Sequence, residues 1–150
     1  MAVGERILLT LWVGAMWTVG YLAAPILFNT LDSRMLAGLL AGKMFTVVDI
    51  IGLVAGTMLL LGALYRAGRR ASRDSRVWML AVMLLLVAIQ QFYFQPVMEA
   101  LKANGLAEGS AAAAEFARMH GAASILYLIN SLLGLVLVAR PPCGHVVREG

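Results

Sequence analysis

Cysteine, histidine, proline and charge are all scarce in this sequence, and each scarcity removes a class of explanation. A single cysteine, Cys143, leaves no partner for an intrachain disulfide. Cys143-Gly-His145 offers two ligands on a Pro-Pro-Gly tail, too few for a structural metal site. Charged residues make up 13% of the 150 residues, well below the ~25% of an ordinary soluble domain. No HExxH, no Gly-rich strand-turn-helix and no nucleophile beside a base is present, so hydrolysis and dinucleotide binding lose their sequence basis and an enzyme is not expected. A nucleic-acid reader would need a soluble domain, and there is no room for one.

What the chain has instead is hydrocarbon. It is 61% hydrophobic, with a mean hydropathy of +0.85. The apolar residues fall into four runs, at about residues 7–28, 45–65, 77–98 and 116–139. Each has the ~20 residues with which a helix crosses a bilayer core. Barrel strands would be half as long and strictly alternating. The expected fold class is therefore all-α, an integral membrane four-helix bundle forming one domain over residues 1–139, with 140–150 as a flexible cytoplasmic tail. The first run exceeds a signal-peptide core, and Pro25 follows the small residues Ala23-Ala24, so it is expected to stay in the protein.

Basic residues set the orientation. Arg6, Arg66, Arg69, Arg70, Arg73, Arg76, Arg140 and Arg148 lie on one side, against Arg34, Lys43, Lys102 and Arg118 on the other. The excess places both termini in the cytoplasm of a multi-pass protein of the plasma or inner membrane. Between the first two helices, Asp32 or Ser33 can cap a short amphipathic helix through Met35–Gly42 that would lie at the interface.

Polar groups inside the spans carry the functional argument. In the first helix Gly14, Thr18, Tyr21, Pro25 and Phe28 share one face and are expected to pack against other helices. Gly52 and Gly56 form a small-xxx-small contact surface on the second. Asp49 lies about one turn inside the membrane, where an ionised side chain is costly and should find a partner. Gln91, Gln95 and Met98 share a face of the third helix. His120 opens the fourth, ahead of Ser124, Tyr127 and Ser131, which read as helix-packing groups. Given antiparallel helices, Tyr21, Asn29, Asp49, Gln91, Gln95 and His120 all fall in the outer part of the bilayer and are expected to form an outward-facing polar pocket. A faint repeat, Tyr21 and Pro25 with Phe45-x-x-x-Asp49 against Tyr93 and Pro96 with Phe116-x-x-x-His120, puts Asp49 and His120 at equivalent depths.

Three uses of such a pocket remain open. It can bind or move a cation, a metal or a small molecule, with His120, Asp49 and Met98 as the metal ligands. It can serve a haem or quinone, although the second histidine lies across the membrane and a bis-histidine haem is disfavoured. It can be purely structural. Four short helices leave little pathway in one protomer, so transport would require a homo-oligomer built through glycine faces.

Trp12-x-Gly14, Ala24-Pro25-Ile-Leu-Phe28, Ala37-Gly38-Leu-Leu-Ala-Gly42-Lys-Met-Phe45, Gln95-Pro96-x-Met98 and Phe116-x-x-x-His120-Gly121-x-x-Ser124 followed by Asn130 resemble the bacterial members of the transmembrane protein 205-like family. The resemblance covers residues 7–139. It implies a four-helix membrane protein and, through a eukaryotic relative associated with platinum-drug resistance, a slight tilt toward metal or small-molecule handling. It implies no role for Asp49 or His120.

Overall fold

The structure, a computed structural model, describes residues 3–103, 105, 106 and 109–140; Cys143, His145 and the expected tail beyond residue 140 lie outside them. The described residues are helical, with no strand among them. Four helical spans are long and apolar enough to cross a membrane: Val3–Thr30, Arg34–Arg73, Ser75–Ala103 and Ala111–Ala139. Spans of 28 and 29 residues reach about 42–44 Å, more than the ~30 Å of hydrocarbon they must cross. The ends therefore project beyond the apolar layer or tilt within it.

The first span consists of α1 (Val3–Trp17), a π turn at Thr18–Ala23 and α2 (Ala24–Thr30). The third repeats this design with α4 (Ser75–Ile89), a π turn at Gln90–Phe94 and α5 (Gln95–Ala103). In both, a proline occupies the second position after the π turn, Pro25 and Pro96. Proline lacks an N–H and its ring crowds the carbonyl four residues back, so an α-helix cannot continue through it unchanged. Here the backbone widens to i→i+5 bonding just before it, with Ala24 N–H donating to Val19 O and Gln95 N–H to Gln90 O.

The returning helices are uninterrupted. α3 runs from Arg34 to Ala67 and α6 from Ala111 to Ala139. Ser33 caps α3 by accepting from Leu36 N at 3.2 Å, and Ser110 caps α6 by accepting from Ala113 N at 3.1 Å. The expected interfacial helix is thus not a separate element: Met35–Gly42 forms the first turns of the 34-residue α3. Nothing in Gly42-Lys-Met-Phe45 breaks the helix, and two side chains from α5 hold its exposed carbonyls, Lys102 Nζ donating to Gly38 O (3.4 Å) and Gln95 Nε2 to Gly42 O (3.5 Å). At the opposite end Gly68 leaves α3 with φ +50°, a conformation that disfavours any residue with a Cβ. A 3₁₀ turn at Gly68–Arg73 follows, and Asp74 caps α4 by accepting from Arg76 N at 2.8 Å.

α1 packs on α3 and α6, and α4 packs on the same two helices, closing an antiparallel bundle. Its core is built by a large residue on one helix entering a gap on the next. The Trp12 indole lies across Gly52 and Gly56, so close that a Cβ on Gly52 would stand 2.5 Å from its Nε1 and one on Gly56 would stand 3.1 Å from its ring. Gly134 of α6 receives Val13 and Met83 in the same way. Because lipid is as apolar as leucine, such close fits, more than hydrophobicity, hold membrane helices together. The small-xxx-small surface read on Gly52 and Gly56 is a packing seam. The small stripe of the first helix is not: Gly14 and Thr18 are exposed, and α1 buries Leu9, Trp12, Val13 and Met16 instead. With the gap on α3 and the bulky residue on α1, the small residues of α1 are left on its far side.

Candidate functional site

Asp49 is 5% exposed and is the buried acidic residue among the described positions. It lies on α3 between Phe45, one turn toward the proline end, and Gly52, one turn toward the arginine-rich end. Phe45 meets Tyr127 of α6 edge-on, with ring centroids 5.1 Å apart, and Gly52 receives Trp12. No hydrogen bond or ion pair joins Asp49 to another described residue.

The bundle interior carries two kinds of polar group besides this carboxylate. The first kind is satisfied. Tyr127 Oη donates to Met16 O at 2.7 Å, and Gln90 Nε2 donates to Ala123 O at 3.0 Å. Ser131 Oγ gives its proton to Leu128 O (2.9 Å), so in its 2.7 Å contact with Tyr21 Oη the tyrosine is the donor. Trp17 Nε1 completes the group on Ser131 O at 3.3 Å. These bonds join α1 to α6 and the third span to α6. The second kind is buried and unpartnered: Trp12 Nε1, Gln91 Oε1 and Asn130 Oδ1. They come from α1, the second π turn and α6, and each unmet group represents a cost that a bound species could remove.

Among the described residues, no hydrogen bond, ion pair or ring contact joins any two of those expected to form the pocket. Gln91 and Asp49 both face the bundle interior, and Gln95 reaches α3. Tyr21, 41% exposed, joins the Ser131 group. Asn29 is exposed at the end of α2, and Met98 is half-buried on α5. His120 is the clear departure. It is exposed on the outer surface of the bundle, its ring stacked on Phe116 at 6.0 Å, and its carbonyl accepts from Ser124 Oγ at 2.8 Å. No hydrogen bond or ion pair links it to Asp49, and no cluster of three His, Cys, Asp or Glu side chains suited to a metal ion occurs among the described residues. The buried line of α6 runs through Ala123, Tyr127, Asn130, Gly134 and Leu137, which turns His120 away. Asn130 and Trp12 were missed as members of the site. The signal available for Asn130 was its place on the seven-residue repeat of that line.

A family model described as a domain of unknown function (DUF4149) matches residues 7–107. The chain belongs to the DUF4149 family. The DUF4149 match takes in Trp12, Asp49, the Gly52–Gly56 seam, both π turns, Gln91 and Gln95, whereas His120, Tyr127 and Asn130 lie beyond it. Comparison with curated proteins and with solved structures finds no match.

Proposed function

We propose that this DUF4149 protein is a membrane-embedded binding module that holds a small cation or a proton against Asp49. The observation that carries the reading is the carboxylate itself: buried between helices, within a span, and hydrogen-bonded to no described residue. An acidic group in that setting needs a proton or a counter-ion, and intramembrane acidic residues commonly serve ion or proton pathways. Gln91 Oε1 and Asn130 Oδ1, two buried oxygens without partners, on other helices of the same bundle, are acceptors of the kind that hard cations prefer. Entry from the proline end, past Gln95 and Gln91, accords with the outward-facing pocket expected from the sequence. The resemblance to the transmembrane protein 205-like family and the arginine distribution support the same setting, a plasma or inner membrane with cytoplasmic termini. A homo-oligomer is supported by Gly14, exposed with nothing within 4 Å of a built Cβ.

The test is infrared spectroscopy of the protein in detergent, with Asp49→Asn as the blank. A carboxyl band that disappears in Asp49→Asn and responds to pH or to Li⁺, Na⁺ or K⁺ is the expected result. A band indifferent to both, with Asp49→Asn altering only thermal stability, overturns it. That outcome favours a second reading supported by the Tyr127–Met16, Tyr21–Ser131 and Gln90–Ala123 bonds, in which the polar core fixes helix register alone. A Soret band in the same preparation would favour the haem alternative.

A further inference from the structure

The three tryptophans differ in what their indole N–H groups meet. Trp17 Nε1 donates to Ser131 O at 3.3 Å and Trp78 Nε1 to Ser72 O at 2.9 Å. Trp12, 1% exposed, donates to no described residue. An indole has one donor and no acceptor, so burying it unmet carries a cost that an oxygen beside it would remove.

Contacts on either side fix the level of that N–H. Toward the proline end, Tyr127 of α6 meets Phe45 of α3 and donates to Met16 O of α1. Toward the arginine-rich end, Trp12 lies on Gly52 of α3, and Val13 fills the gap at Gly134 of α6. Asp49 falls between Phe45 and Gly52 on one buried face, and Asn130 between Tyr127 and Gly134 on another, so both belong to the same layer of the bundle. Trp12 Nε1 closes this layer from below. A Cβ built on Gly52 would stand 2.5 Å from it, and residues three apart on a helix have Cβ atoms ~5–6 Å apart, which puts the nitrogen within about 8 Å of the Asp49 Cβ. The carboxyl arm and one water can bridge that separation. The titratable groups beside the layer are Tyr127 and Tyr21, whose hydroxyls are engaged by Met16 O and Ser131 Oγ. The buried residues of α1, α2 and α4 are uncharged, the second π turn brings the neutral Gln90 and Gln91, and Lys102 of α5 is held on Gly38 O, about three helical turns before Asp49.

We infer that the species held against Asp49 is a proton accompanied by one water, with Trp12 and Asn130 positioning the water and setting a preference for a proton over an alkali cation; this rests on the reading of Asp49 as a binding residue. One donor, one amide oxygen and one carboxyl, all more than nine-tenths buried, match the roughly three hydrogen bonds of a buried water. The water accepts from Trp12 Nε1 and donates to Asn130 Oδ1 and to the carboxylate. Uptake breaks one O–H bond of a protonated water and forms one on the Asp49 carboxyl, leaving a neutral water in place. A bare Li⁺, Na⁺ or K⁺ in its stead would satisfy the oxygens and leave the indole N–H facing a positive charge.

Infrared and ultraviolet resonance Raman spectra of the full chain in detergent test this. At fixed pH and ionic strength the Asp49 carboxyl band should be the same in Li⁺, Na⁺ and K⁺, while titrating with pH. A band that moves with the alkali ion overturns the inference and leaves the Asp49 reading standing; a band indifferent to pH and ion alike overturns both. The Raman indole marker, taken as wild type minus Trp12→Phe so that Trp17 and Trp78 cancel, should report a hydrogen-bonded N–H, and a free one overturns the inference. Trp12→Phe keeps a ring over the glycine seam without the donor, so the pH midpoint of the band should rise by about one unit, the tenfold change implied by one lost hydrogen bond favouring the charged form. An unchanged midpoint reduces Trp12 to packing and overturns its positioning role. The alkali-ion comparison uses wild type alone and decides the matter even where Trp12→Phe does not fold.

Discussion

Asp49 and His120 occupy matching places in the two halves of the chain. Each follows a phenylalanine by four residues on a returning helix, and each half begins with an outgoing helix that carries a π turn ahead of a proline. Yet Asp49 is buried and His120 stands on the outer surface of the bundle. The spacing is the same and the rotation of the helix is not. On α3, Gly52 and Gly56 clear a trough for Trp12 on the side that carries Asp49, so the carboxylate is turned inward with it. On α6, Gly134 does the clearing, and the face it selects passes through Tyr127 and Asn130. Gly121, next to His120, has nothing within 4 Å of a built Cβ. Shape complementarity, not polarity, decides which side of a membrane helix looks inward.

The largest test of this comparison is to fill the two kinds of glycine. Gly52→Leu should cost about 1–3 kcal/mol or prevent bundle formation, because the new side chain meets the Trp12 ring. Gly121→Leu should change stability by less than ~0.5 kcal/mol. Unfolding in bicelles compares them directly, and equal losses would mean that the glycine trough does not orient α3. Next in size are the caps that start the two returning helices. Ser33→Ala and Ser110→Ala should each cost about 1 kcal/mol by the same measurement, and a large inequality would show that the halves are not equivalent even at their starts. Tyr127→Phe removes the bond to Met16 O and should cost about 0.6 kcal/mol, the average for an interhelical hydrogen bond in a membrane. The smallest effect belongs to His120. His120→Gln should leave stability within ~0.5 kcal/mol and leave the Asp49 infrared band unmoved; a shift in that band would reunite the two residues.

Much of the fold was legible because a membrane imposes length. All four apolar runs, from the one at about residues 7–28 to the one at 116–139, are found within helices. The glycine seam was legible for a similar reason, since small residues four apart on an apolar helix have few other uses. The rotation of each helix was not. In water, polar residues mark the outside and the pattern points to the core. In lipid both sides of α1 are apolar, and exposed Leu11 and Ile7 read like buried Leu9 and Val13. A stripe of Gly14 and Thr18 therefore looked like a contact face when the contact is made by Trp12. His120 failed for the same reason: its depth could be counted along the chain, but its direction depended on Val13 and Met83 filling the gap at Gly134.

The two π turns divide the molecule into storeys with separate phases. Each turn places about one additional residue around the helix without adding a turn, and a single residue advances an α-helix by about 100°. Everything beyond Ala23 and beyond Phe94 is thus set at an angle that the packing below does not dictate. The Trp12 seam on one side of the first π turn and the Lys102 and Gln95 clasps beyond the second can be aligned independently. Deleting one residue within Thr18–Ala23 should close that turn to ordinary i→i+4 bonding and leave α2 in its present orientation, while removing the room that the widened backbone gives the Pro25 ring.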